Sequence, residues 1–144
     1  MNARVPSQVL QPELALQRVS QAWDSDIVRQ LTDYIAIPAK SPTFAADWAE
    51  LGLLDTVVRN AAAWVESQKV EGLTLEIVRL EGRTPVLFFE IAATQPGATD
   101  TVLMYGHLDK QPEFSGWRSD LGPWTPKYEA VSYTHLRAHE TRED

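Results

Sequence analysis

Apolar positions along the chain recur at two different periods, and the switch between them divides it. Pro12-Glu-Leu-Ala-Leu-Gln-Arg-Val opens a helix with proline at its first position, where the missing N–H costs nothing. Ile27, Val28, Leu31, Tyr34 and Ile35 continue at helical spacing, with Asp24 or Ser25 placed to cap free amides and Pro38 placed to end the run. After a loop at Ala39-Lys-Ser-Pro-Thr, Leu54, Val57, Val58, Ala61, Trp64 and Val65 predict a second long helix, broken or bent at its beginning by Gly52 and stopped by Glu71-Gly72. The period then changes from 3.6 to 2. Leu73, Leu75 and Ile77 alternate with Thr74, Glu76 and Val78 as in a strand with one wetter face. Pro85 to Ala92 is nearly all apolar and reads as a buried strand paired antiparallel with it across the Glu81-Gly-Arg-Thr turn. Beyond the turn at Gln95-Pro-Gly-Ala-Thr-Asp, Thr101-Val-Leu-Met-Tyr predicts a short interior strand. Helices followed by buried strands predict an α/β fold with a mixed sheet covered on at least one face.

Composition narrows the function classes. The 144 residues allow at most one ordinary domain, and a hydrophobic share of 44% with five tryptophans is that of a folding chain. Thirteen Lys and Arg against 20 Asp and Glu give a net charge of -7, which argues against nucleic acid and anionic membranes as partners. There is no cysteine, so no disulfide, thiolate nucleophile or Cys-ligated metal is available, and any metal must sit on His and carboxylates. The opening residues Met1-Asn-Ala-Arg-Val-Pro-Ser-Gln lack the apolar stretch of a secretory signal, and no apolar run approaches the roughly 20 residues of a membrane span. The expected location is cytoplasmic.

Candidate chemistry gathers where the third expected strand ends, at Gly106-His107-Leu108-Asp109. Ligands in open α/β sheets collect beyond the carboxyl ends of strands, and period-two geometry sends His107 and Asp109 to the same side. A neutral imidazole is a good zinc ligand, and a carboxylate on its other ring nitrogen would fix tautomer and orientation. His-x-Asp alone is a short pattern, and a histidine in this position also serves as a hydrogen-bonded loop residue. Trp117 and Trp124 in the following loop either line a pocket or, the preferred reading, pack that loop beside Pro123 and Pro126. Arg118 and Lys127 are candidates to meet a substrate carboxylate, although solvated loop charges are the commoner case.

The wider context is more specific. Tyr105-Gly-His-Leu-Asp-Lys-Gln-Pro, then Gly116-Trp-Arg and Gly122-Pro-Trp-Thr-Pro, together with Ile37-Pro-Ala-Lys-Ser-Pro42 at the end of a helix, resembles the zinc-dependent exopeptidase and amidohydrolase family that includes carnosine dipeptidase, acetylornithine deacetylase and succinyl-diaminopimelate desuccinylase. The resemblance covers residues 24–129. It implies the amino-terminal part of an α/β/α zinc-peptidase catalytic domain, incomplete, preceded by a tail and short helix at 1–23. It further implies that His107 ligates one Zn2+ of a two-metal site, with Co2+ or Mn2+ as substitutes, and that Asp109 serves catalysis by orienting the ligand shell. In the family, metal-activated water helped by a glutamate base attacks the amide of a dipeptide or N-acyl amino acid. A homodimer of the full-length parent is the expected assembly. Lys110 stands where many relatives carry an apolar residue, and no catalytic role is assigned to it.

After Glu129 the family pattern breaks. Ala130 to Asp144 resembles a translated sequencing-adapter segment and is expected not to be native sequence. Within it, His135 and His139 with Glu140 imitate a metalloprotease helix, but in the order His-x-x-x-His-Glu, with no glutamate between the ligands to act as base. Without the bridging aspartate, the paired glutamates and the distant histidine of the family, the chain is expected to bind zinc weakly, to hydrolyse nothing, and to be marginally stable or prone to aggregate. The alternative reading is a non-catalytic α/β binding or interaction module in which His107 and Asp109 only hydrogen-bond a loop.

Overall fold

The computed structural model describes residues 11–129. Helix α1, Pro12–Ala22, starts on the anticipated proline and runs without a break into a π-helical turn, Trp23–Ile27, and then α2, Val28–Ala36. The expected cap at Asp24 or Ser25 is therefore not used. Ser25 instead donates back to the Gln21 carbonyl at 2.8 Å, and Asp26 accepts from Trp64 Nε1 at 2.7 Å and from Gln30 at 3.1 Å. The wide turn places Asp26 where it ties this helix to the later one. α2 stops because Ile37, preceding a proline, is forced to extended backbone, at φ -85° and ψ 118°.

Gly52 acts as anticipated. Its φ of 64°, accessible to glycine at little cost, separates a single turn, α3 (Trp48–Leu51), from the long α4 (Leu53–Ser67). Strands β1 (Leu73–Val78) and β2 (Val86–Ile91) pair antiparallel in the register Leu73↔Ile91 to Val78↔Val86. Gly72, at φ 77°, sits so close to Ala92 that an added Cβ would lie 3.2 Å from the alanine methyl, which explains a glycine at the start of the ladder. At this level the protein is mixed α/β: helices plus a small two-stranded antiparallel sheet.

Two strand expectations need correction. β2 is largely exposed, with Val86, Phe88, Phe89 and Ile91 all about half accessible, because nothing among the described residues covers it apart from its contact with α4. Thr101 to Tyr105 forms no ladder, and Val102 to Tyr105 are 85% to 91% exposed. An apolar, β-branched run states a preference for a sheet, but a strand exists only with a hydrogen-bonded neighbour, and the described residues provide none here.

The core is small and lies between the helices. Ala39, Leu54 and Val57 are buried together, with Tyr34, Ile37, Trp48, Leu53 and Leu108 packed against them. No helix among the described residues is long and apolar enough to cross a membrane.

Candidate functional site

Leu108 positions the candidate site. It packs against the core between the loop after α2 and the start of α4, and it lies between the two residues of interest. Hydrogen bonds hold the chain on its carboxyl side. Tyr34 Oη donates to the Leu108 carbonyl at 2.9 Å, the Lys110 amide donates to the Ala39 carbonyl at 2.9 Å, and the Ser41 amide donates to the Lys110 carbonyl at 2.9 Å. Lys40 and Lys110 thus form a parallel β-bridge. The two stretches Ile37-Pro-Ala-Lys-Ser-Pro42 and Gly106-His-Leu-Asp109, far apart in sequence, are neighbours in space.

With Leu108 anchored inward, His107 and Asp109 meet on the outer side, as their spacing anticipates. His107 Nδ1 lies 3.0 Å from Asp109 Oδ1 and equally 3.0 Å from the Asp109 main-chain oxygen. Both neighbours are acceptors, so Nδ1 must carry the proton whenever the imidazole is neutral, and the lone pair is left on Nε2. The side chains are 63% and 38% exposed, so their ion-pair character is weak and the significance of the contact lies in orientation. Asp109 also lies near Tyr34, whose hydroxyl is held above its ordinary pKa first by burial and then by the Asp109 charge.

The sequence offered no sign of the role of Lys110. Its ammonium donates to the carbonyls of Tyr34 and Ile37, lies 3.5 Å from that of Ile35, and sits 4.0 Å from the centre of the Tyr34 ring. The Trp124 ring centre is 5.6 Å away. Burial lowers the Lys110 pKa to about 8. Its hydrogen-bond acceptors are main-chain oxygens, which no pattern of side chains announces.

The loop residues Trp117, Trp124, Arg118 and Lys127 bond to or lie beside their own surroundings. Trp117 Nε1 donates to the Phe114 carbonyl at 2.7 Å, closing its own loop, and Trp124 is half-buried beside Lys110 and Glu113. Arg118 is committed to Asp120 and Glu129, and Lys127 to the same two carboxylates. These bonds hold Asp120 and Glu129 below the usual carboxylate range and Arg118 and Lys127 above their ordinary values. Lys40 is paired with Glu113 at 3.0 Å. A cavity of about 10 Å³ lined by Pro38, Trp48 and Leu54 has room for one water and does not include His107 or Asp109.

As a metal centre the donor set falls short. Zinc in a catalytic site takes three protein ligands, and among the described residues no three His, Cys, Asp or Glu side chains converge. His107 offers one nitrogen and Asp109 is already directed at the ring. His135, His139 and Glu140 lie outside the described residues, as do the other residues of 1–10 and 130–144. In comparisons with known proteins, no family model and no curated protein matches this chain.

Proposed function

We propose that the chain carries part of the active site of a zinc-dependent amidohydrolase, the class of exopeptidases and deacylases that its Gly-His-x-Asp stretch resembles, acting on dipeptides or N-acyl amino acids. The observation that supports this reading is the 3.0 Å contact of His107 Nδ1 with Asp109 Oδ1, which fixes the tautomer and leaves Nε2 as the coordinating nitrogen. Leu108, packed against the core, sets the main chain from which both side chains project. Zinc would supply Lewis acidity toward an amide carbonyl and lower the pKa of water. What this chain contributes is one oriented ligand. Its other partners would have to come from residues outside 11–129, and by itself it is inactive on this reading.

The equal distance from His107 Nδ1 to the main-chain oxygen of Asp109 favours a second reading, in which the imidazole merely closes a loop of a non-catalytic binding or interaction module. A zinc titration followed through the histidine 15N resonances separates the two. On the proposed reading, millimolar zinc shifts Nε2 of His107, and Asp109→Asn weakens that binding by about 10- to 100-fold, the usual cost of losing a carboxylate that orients a ligating histidine. Zinc that leaves His107 unmoved favours the loop reading. A chain extended past Glu129 from its coding DNA should then hydrolyse dipeptides in preference to phosphate esters, and the opposite preference would assign it to another hydrolase class.

A further inference from the structure

We infer that Lys110 is a positioning residue, a clamp on the carboxyl end of α2 that holds the His107–Asp109 pair in register. The last carbonyls of a helix have no intrahelical partner, and here the usual continuations are closed off: Ile37 has turned to extended backbone and Pro38 has no N–H to offer. The Ile37 amide reaches back to Tyr34 at 3.2 Å, and the side chain of Lys110, 73 to 76 residues further along the chain, donates to the carbonyls of Tyr34 and Ile37. A cation is favoured at this end of a helix dipole, and the face of Tyr34 at 4.0 Å adds a cation–π contact. The main chain of Lys110 grips the same loop through Ala39 and Ser41, so one residue is fixed by both its backbone and its amine.

This grip acts directly on Asp109. The carboxylate that meets His107 is borne by the residue preceding Lys110, and movement of Lys110 away from α2 carries it out of the 3.0 Å contact. Leu108 and the Tyr34 hydroxyl restrain the peptide on the amino side of Asp109, and Lys110 restrains the one on its carboxyl side. Lys110 therefore completes the hold on the Asp109 carboxylate that favours the Nδ1–H tautomer of the imidazole. The proposal depends on the zinc reading for the purpose of the clamp, and its test contains no metal.

The test is histidine-selective 15N NMR on the full chain, comparing wild type with Lys110→Met, which keeps the stem and the main-chain bonds and removes every side-chain donor. In the wild type, His107 should give the Nδ1–H signature. In Lys110→Met that signature should collapse to the averaged shifts of a free imidazole, and exchange of the Ser41 amide should quicken about tenfold or more. Trp23→Phe, which removes the 3.0 Å bond to Tyr128 Oη, serves as a variant that lowers stability elsewhere and should leave the tautomer unchanged. A Lys110→Met chain that keeps both the wild-type tautomer and Ser41 protection overturns the clamp and leaves Lys110 a stabilising contact only. If that variant does not fold, nuclear Overhauser contacts between the Lys110 ε-methylene and the Tyr34 ring in the wild type decide the matter, and their absence overturns the proposal. A wild-type Nε2–H tautomer overturns the clamp and the metal reading together. A tautomer that depends on Lys110 in a chain whose His107 ignores zinc sinks the metal reading alone.

Discussion

Lys110 is also the residue that most clearly links burial to stability. Its pKa in the folded protein is lowered to about 8 by burial, so between that value and its ordinary one near 10.5 the unfolded chain binds more protons than the folded one. The sign follows: below pH 8 both states carry the charge and folding has to desolvate it, and stability rises as pH climbs through the window. Deprotonation does not undo the clamp, because a neutral amine keeps two N–H groups for the two carbonyls it serves. Above pH 10 the trend reverses, since Tyr34 and Lys127 have folded pKa values raised above their ordinary ones and their contributions fade. The melting midpoint should accordingly increase from pH 8 to 10 in the wild type and stay flat there in Lys110→Met. A wild-type midpoint that falls across that interval would show that the ammonium is not buried. The His107–Asp109 meeting was legible from the sequence because two residues on one side of an extended stretch have few places to go. Lys110 was not, because its partners are carbonyls of residues 34 and 37, set by where a helix ends.

At the scale of elements, local signals read well and neighbour-dependent ones did not. Pro12, Gly52 and Gly72 punctuate the chain where their backbone chemistry says they should, and the period-two alternation of β1 is realised, with Thr74 and Glu76 exposed between half-buried Leu73, Leu75 and Ile77. The π-helical turn at Trp23–Ile27 escaped detection because capping residues such as Asp24 and Ser25 signal a helix start only when the chain is not already helical. The interior strand at Thr101–Tyr105 failed for want of a partner. Amides of Val102 to Tyr105 should exchange at close to free-peptide rates, against strong protection of Leu75 and Phe89 within the β1–β2 ladder, and protection of the former would reveal a partner strand. The helical core is the opposite case. Leu54 is 5% exposed and touches the cluster that anchors Leu108, so Leu54→Ala should cost about 2–5 kcal/mol by chemical denaturation, a large part of the stability of any small domain. The same variant should release His107 from Asp109, because the platform under Leu108 goes with it.

For the molecule as a whole, the buried apolar side chains of the described residues are few and mostly small: Ala39, Ala45, Leu54, Val57, Val58 and Ala62. Against them stand Val86, Phe88, Phe89 and Ile91 on β2, whose outer edge has no strand partner among the described residues, and the nearly bare run from Val102 to Tyr105, which forms no ladder with them. Such a surface is a template for strand pairing between copies, and hydrophobic burial favours it. What opposes it is charge: at a net -7, each copy repels the next. The balance is therefore set by ionic strength. Screening shortens from a Debye length of about 30 Å at 0.01 M salt to about 8 Å at 0.15 M, which removes long-range repulsion while leaving the apolar attraction intact. Sedimentation velocity should show a monomer at low salt and growing association as salt rises. Leu103→Glu, which sets a charge in the middle of the exposed run, should suppress that association without altering the fold, since Leu103 is 88% exposed and contributes nothing to the core. Association that persists unchanged in Leu103→Glu would move the contact to β2, where Phe88→Lys is the corresponding variant, and a chain that stays monomeric at every salt concentration would mean that these apolar segments are covered by a part of the protein outside residues 11–129.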